Sequence, residues 1–150
     1  MTSRAAVDGF LAERTLALVG ASRSGRKFGN MVLKELTAKG YRVLPVHREA
    51  AEIDGHAAYA SFAELPEKPG GVIVVVPPDR SAEVVRDAAA AGIGRVWLQQ
   101  GAASMAAVQA AEATGLSVVH GECILMFAEP TASFHRVHRF IWKVLGRLPH

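Results

Sequence analysis

The sequence predicts an α/β domain built on a doubly wound parallel sheet of about five strands, with a C-terminal helix. Three observations predict it. Short apolar, β-branched runs alternate along the chain with longer amphipathic stretches. The runs show little polar alternation, as strands covered on both faces do. Glycine stands where the amphipathic stretches should stop, at Gly40, Gly92 and Gly115. Right-handed crossovers between parallel strands then make the domain Rossmann-like.

The elements follow in order. Residues 15–19 (TLALV) read as a first strand closed by Gly20. A helix over 30–39 carries Phe28, Val32 and Leu36 at four-residue spacing along its approach and one face, and ends at Gly40. Residues 41–46 (YRVLPV) form a second strand, and 71–76 (GVIVVV) a third, the most β-branched of the set. A helix beginning at Ser81 runs through Val84, Val85 and Ala88, with Ser81 placed to cap it. Residues 95–98 (RVWL) make a fourth strand, 104–114 an alanine-rich helix, 116–120 a fifth strand and 133–145 a closing helix. Residues 47–70 carry the weakest pattern, with a short element near 61–65.

Length and composition agree with one domain spanning residues 1–150, with a core over about 10–127 and a helical extension over 128–150. A chain of 150 residues buries roughly 70% of its unfolded surface. Half the residues are hydrophobic and 21% are charged, which excludes a disordered chain. Seventeen basic against 14 acidic residues leave +3, too small an excess to require a nucleic-acid partner but suited to a small polyanion. The single cysteine, Cys123, excludes a disulfide framework and a Cys-rich zinc site. The longest apolar run, 72–78, is far short of the ~20 residues of a spanning helix. The first 14 residues carry Asp8 and Glu13 and lack a secretory core, so a soluble, cytoplasmic protein is expected.

Doubly wound sheets bind ligands at the carboxyl ends of their strands. After the first strand comes Gly20-Ala21-Ser22-Arg23-Ser24-Gly25-Arg26-Lys27-Phe28-Gly29. Glycines admit a phosphate close to the backbone, the next helix aims its positive end there, and Ser22, Ser24, Arg23, Arg26 and Lys27 add donors and charge. The spacing is G-x4-G-x3-G, neither the dinucleotide fingerprint nor a Walker loop, since Phe28 stands where the latter needs a hydroxyl. An ordinary strand-to-helix turn with solvated charges would use the same residue types.

The second strand ends in Val46-His47-Arg48. An NAD site wants a carboxylate here, whereas a cation suits a ribose phosphate, as in NADP or in the 3′-phosphate of coenzyme A. The third ends in Val76-Pro77-Pro78, where the prolines stop a central strand and offer flat apolar rings to an adenine or a pantetheine arm. The fourth ends in Trp97-Leu98-Gln99-Gln100-Gly101: Trp97 reads as core, and Gln99 and Gln100 offer amides to an amide-rich ligand. The fifth ends in His120-Gly121-Glu122-Cys123, where a cysteine suits a redox-sensitive or ligand-facing thiol but Cys123 reads better as a small buried residue.

Taken in order, Val19-Gly20-Ala21-Ser22, Gly40-Tyr41-Arg42-Val43-Leu44-Pro45-Val46, Val75-Val76-Pro77-Pro78, Trp97-Leu98-Gln99-Gln100-Gly101 and Val118-Val119 with Cys123 give the chain a family likeness. It resembles the small single-domain CoA-binding proteins, related to the N-terminal domain of the succinyl-CoA synthetase α subunit, over roughly residues 10–127. The resemblance implies that Ala21, Ser22 and the loop to Lys27 meet CoA phosphates. It implies that Val46, Pro77 and Pro78 line the nucleotide or pantetheine, and that Gln100 and Gly101 close the far side. Two departures stand out. His47-Arg48 replaces the family's usual Asn-Pro, and Gly121-Glu122 replaces an Asp-Arg pair before the cysteine.

The expected function is therefore binding of coenzyme A or an acyl-CoA, without catalysis of its own. The alternatives are an NADP-binding oxidoreductase-like protein and an interaction module. Residues 137–148 interleave apolar residues at helical spacing with Arg139, Lys143 and Arg147, a face suited to packing on the domain, on a second copy or on a protein partner. His135 and His138 share a spacing of three but lack a third metal ligand.

Overall fold

The computed structural model describes residues 3–128. Its centre is a five-stranded, all-parallel sheet in the order β2-β1-β5-β6-β7. The strands are β1 (Thr15–Val19), β2 (Arg42–Val46), β5 (Gly71–Val74), β6 (Arg95–Gln99) and β7 (Ser117–Glu122). A small antiparallel hairpin, β3 (Glu52–Ile53) and β4 (His56–Ala57), stands apart. The helices are α1 (Arg4–Ala12), α2 (Phe28–Ala38), α3 (Pro78–Ala90) and α4 (Met105–Ala113).

Parallel strands buried on both faces need helices on both, and the two apolar clusters divide that way. On one face α1 and α2 bring Val7, Phe10, Val32, Leu33 and Leu36 onto Leu16, Leu18, Ile73, Trp97 and Val119. On the other, α3 and α4 bring Val85, Ala88, Ala107 and Ala111 onto Ala17, Val72, Val74, Val96 and Leu98. The small alanines let α3 and α4 lie close to the sheet and to each other. Trp97 is core, as its place inside the fourth strand predicts. Its ring meets Phe10 at 5.4 Å and Phe127 at 6.0 Å, and its Nε1 donates to the Glu122 carbonyl at 3.1 Å.

The predicted strands and their connecting helices are all present, with shifted ends. The third strand stops at Val74, although the Val75 N–H still donates to the Val19 carbonyl at 2.8 Å. The helix after it starts at Pro78 rather than Ser81, because a proline at the first helical position gives up an N–H that the first turn does not use. Ser81 is consequently not a cap. It is fully buried in the first turn, and its Oγ donates to the Ala102 carbonyl at 2.5 Å, fastening α3 to the segment after β6. The fifth strand runs on to Glu122. There its register against β6 slips between Leu98 and Gln99, with Gly121 at φ +79° as the extra residue of a bulge.

Two parts of the chain were not foreseen. Helix α1 is capped by Ser3, whose Oγ accepts from the Ala6 N–H at 3.0 Å, and it lays Phe10 over Gly71. The β3–β4 hairpin occupies the weakly patterned stretch, and the short element expected near 61–65 is a single 3-10 turn, Phe62–Glu64. The closing helix over 133–145, with its histidines and basic face, lies outside the described residues. Among the described residues no helix is long and apolar enough to cross a membrane.

Candidate functional site

The chain leaves β1 toward β2 on one side and reaches β5 on the other, so the switch point of the sheet lies between the carboxyl ends of β1 and β5. Two glycines shape it. Gly20 has φ +127°, and a Cβ there would sit 2.1 Å from the Val75 carbonyl oxygen. Gly29 opens α2 against the same spot, where a Cβ would lie 2.7 Å from the carbonyl carbon and oxygen of Gly20 and 2.8 Å from the Ala21 nitrogen. Side chains at either position would push the loop off the end of β5.

Between these glycines residues 22–27 form an exposed loop with a fixed base. Asn30, only 4% exposed, holds Ser22 in both directions. Its Oδ1 accepts from the Ser22 N–H at 2.9 Å, and its Nδ2 donates to the Ser22 carbonyl at 2.9 Å. The same Nδ2 donates to Asp54 Oδ2 at 2.8 Å. The Ser22 and Ser24 hydroxyls are 2.8 Å apart, and the Gly25 N–H closes a turn onto the Ser22 carbonyl.

The helix ends around the switch point differ from those elsewhere. Helices α1 and α4 have serine caps, Ser3 and Ser104, each accepting a backbone N–H at 3.0 Å. Helix α2 is preceded by Lys27 and α3 by Pro77, and neither supplies a side-chain cap. The first-turn amides of a helix have no intrahelical partner, and the macrodipole makes that end positive. Two such ends therefore flank the glycine loop, which carries Arg23, Arg26 and Lys27.

The other predicted residues fall around this centre. Val46 is half-buried at the end of β2 and bridges to Tyr59. The His47 side chain turns back on its own loop, its Nδ1 accepting from the Glu49 and Ala50 N–H groups at 3.1 and 3.0 Å. Arg48 reaches α3, with Nη2 3.6 Å from Glu83 Oε1, and Arg23 reaches the β2 loop, with Nη2 3.2 Å from Glu49 Oε2. All four side chains are more than 60% exposed. Pairs this exposed contribute about 0–1 kcal/mol, whereas a hydrogen bond to a charged group contributes about 1.5–3 kcal/mol. A phosphate can displace the carboxylates. Among the described residues no ion pair engages Arg26 or Lys27.

Pro77 and Pro78 stand exposed at the mouth beside β5. Gln100 and Gly101 are exposed one strand further along, past β6. Gln99, read from sequence as a second amide for the ligand, is 2% exposed, and its Oε1 accepts from the Ile124 N–H at 3.0 Å, so it is a strut inside the fold. The structure thus gathers residues 20–27, 46–48 and 77–78 at the ends of three adjacent strands, and sets Gln100 and Gly101 at their margin. Sequence reasoning missed Asn30, Asp54 and Glu83, and although Glu49 is the first carboxylate after the second strand its pairing with Arg23 was not foreseen. Asp54 had a signal, the Asp54-Gly55 pair of a tight hairpin turn.

Along the outer flank of α2 a groove of about 640 Å³ starts at Arg26 and Lys27 and has Asp54 and His56 on its wall. At the end of β7, burial pushes the Glu122 carboxyl above its ordinary range. Cys123 beside it is partly buried and packs on the core, in line with its reading as a small apolar residue. Among the described residues no three His, Cys, Asp or Glu side chains gather as a metal site.

Comparison with known proteins places these features in company. The sequence matches the family described as "CoA binding domain" over residues 14–129. A stretch of 72 residues, 47% of this chain, is 38% identical to the α subunit of ADP-forming acetate–CoA ligase II from Pyrococcus furiosus, and spans 16% of that subunit. A conserved hypothetical protein from the same organism has a solved structure that superposes with a TM-score of 0.70 at 40% identity, over 74% of this chain and 96% of that one. The dinucleotide-forming acetyl-coenzyme A synthetase 1 of Candidatus Korarchaeum cryptofilum superposes with a TM-score of 0.63 at 26% identity, over 71% of this chain and 25% of the synthetase.

Proposed function

We propose, from the premise that this chain belongs to the CoA-binding domain family, that it binds coenzyme A or an acyl-CoA at the ends of β1, β2 and β5. One observation carries the reading to these residues. The two helices that start at the switch point, α2 and α3, lack the side-chain caps that α1 and α4 have, and a cationic glycine loop lies between them. A diphosphate would complete those helix ends and draw on Arg23, Arg26 and Lys27. Arg48, at the end of β2, would serve the 3′-phosphate. Pro77 and Pro78 would border the adenine or the pantetheine, together with Val46 and His47, and Gln100 and Gly101 would meet the arm as it leaves.

The reading is of a binding module. The Ser22 and Ser24 hydroxyls face each other and Asn30 rather than a general base, and His47 spends its Nδ1 on backbone amides. Titration calorimetry of the purified protein with CoA, dephospho-CoA and NADP tests it. CoA is expected to bind most tightly. Equal affinity for CoA and dephospho-CoA would remove the role given to Arg48, and no heat with CoA or acetyl-CoA would overturn the reading.

A further inference from the structure

We propose that Asp54 is a positioning residue for the phosphate loop, acting through Asn30 and touching no ligand itself; the inference rests on the reading just given of that loop. Asp54 belongs to the turn of the β3–β4 hairpin, 24 residues away from Asn30 in sequence. Its backbone is at φ +50°, the only non-glycine residue with positive φ among those described, and Gly55 follows at φ +81°. Positive φ at both central residues makes the two-residue turn between Ile53 and His56 tight. It also aims the carboxylate back at α2.

The aim is specific. Asp54 Oδ2 accepts from the Nδ2 of the nearly buried Asn30 at 2.8 Å, and that amide holds Ser22 by both its oxygen and its nitrogen. Asp54 Oδ1 sits 3.2 Å from where a Cβ of Gly25 would be, so the carboxylate also abuts the crest of the loop. An amide side chain can rotate or flip unless its neighbours tell oxygen from nitrogen. A carboxylate accepts only, so Asp54 takes the second Nδ2 hydrogen and reinforces the orientation in which the oxygen meets the Ser22 N–H and the nitrogen the Ser22 carbonyl. The hairpin thereby holds the loop in one shape before any ligand arrives, and a preformed loop binds more tightly than one that must be ordered.

Charge alone predicts the opposite effect. A carboxylate beside a phosphate loop repels the ligand, so every neutral replacement should tighten binding. Positioning separates the replacements. Asp54→Asn tolerates the left-handed turn and still offers Nδ2 an acceptor, so it should bind CoA at least as tightly as the parent. Asp54→Gly keeps the turn and removes the acceptor, so it should bind about tenfold more weakly, the loss of roughly one hydrogen bond to a charged group. The test is calorimetric titration of CoA into the full chain and both variants, with melting temperatures measured alongside.

Amide hydrogen exchange of residues 22–27 without ligand gives a second reading that needs no CoA binding. Exchange about tenfold faster in Asp54→Gly than in Asp54→Asn is expected. Equal exchange in the two variants, or CoA binding tightened equally in both, would overturn the inference. If the parent protein bound no CoA, the proposed function would fall and the exchange experiment would still decide the role of Asp54.

Discussion

Gly29→Ala tests the close approach at the switch point, because two effects of opposite sign meet there. Gly29 is the second residue of α2. Helix propensity alone favours alanine over glycine by about 0.5–1 kcal/mol. The new methyl, however, would stand 2.7 Å from the Gly20 carbonyl group and 2.8 Å from the Ala21 nitrogen. These are backbone atoms, next to Val19, whose carbonyl accepts from the Val75 N–H at 2.8 Å, and they cannot swing away as a side-chain tip would. Overpacking of this kind costs about 1–3 kcal/mol. The expected net is a destabilisation of about 1–2 kcal/mol, and at about 2–4 °C per kcal/mol the melting temperature should fall by roughly 2–8 °C. CoA affinity should fall with it, since relief of the contact moves Ala21 and the loop. Gly94→Ala is the control: nothing lies within 4 Å of its added Cβ, and it should leave stability unchanged or slightly raised. A melting temperature that rises in Gly29→Ala would show that the contact relaxes freely and would refute the argument.

Replacing Arg23, Arg26 and Lys27 together by Ala should weaken CoA binding at least about a hundredfold, from ~1.5 kcal/mol for each of two phosphate contacts, while the unliganded protein melts almost unchanged, since only one weak exposed pair is lost. Unaltered affinity in calorimetry would contradict the loop assignment. Ser81→Ala should cost ~1–3 kcal/mol of stability through a stranded Ala102 carbonyl, read as a lower urea midpoint with an unchanged slope of unfolding. Burial holds the Glu122 carboxyl above its unfolded value, so the native state binds more protons and stability falls as pH rises from the ordinary carboxylate range to the raised one. Glu122→Gln should therefore be more stable than the parent at pH 7 and equal to it below about pH 4, as followed by thermal melts across pH.

The sheet was legible because parallel strands leave a residue signature that side chains elsewhere do not blur. Runs such as GVIV are buried on both faces and need no partner to be recognised. The loop after β1 was legible as a turn, since Gly20 and Gly29 stand where the backbone passes close to itself and to Val75. Helix α1 was not, because RAAVDGFLA carries a glycine at its centre and its apolar face becomes visible only once Phe10 is seen over Gly71. The hairpin was hidden by length: two-residue strands cannot show a period, and only the Asp54-Gly55 turn marks them. Within the site, Gln99 and Gln100 look alike in sequence, yet the bulge at Gly121 draws Ile124 under Gln99 and leaves Gln100 outside. Asn30 had no signal of its own, because its work is defined by Ser22 and Asp54, which only the folded chain brings beside it.

The ion pairs Arg23–Glu49 and Arg48–Glu83 have a further consequence for selectivity. Each arginine carries its own internal counterion, and because Arg48 and Glu49 are chain neighbours the two pairs tie the end of β2 to the glycine loop on one hand and to α3 on the other. On the reading proposed above, an anion that takes one arginine releases an exposed carboxylate into water and sets against its own contact only about 0–1 kcal/mol for that pair. An anion with charges at two separated positions can evict both acids at once and collect both cations. If the cleft holds such a ligand, the competition that favours it over a singly charged contact is already present in the polypeptide, in Glu49 and Glu83.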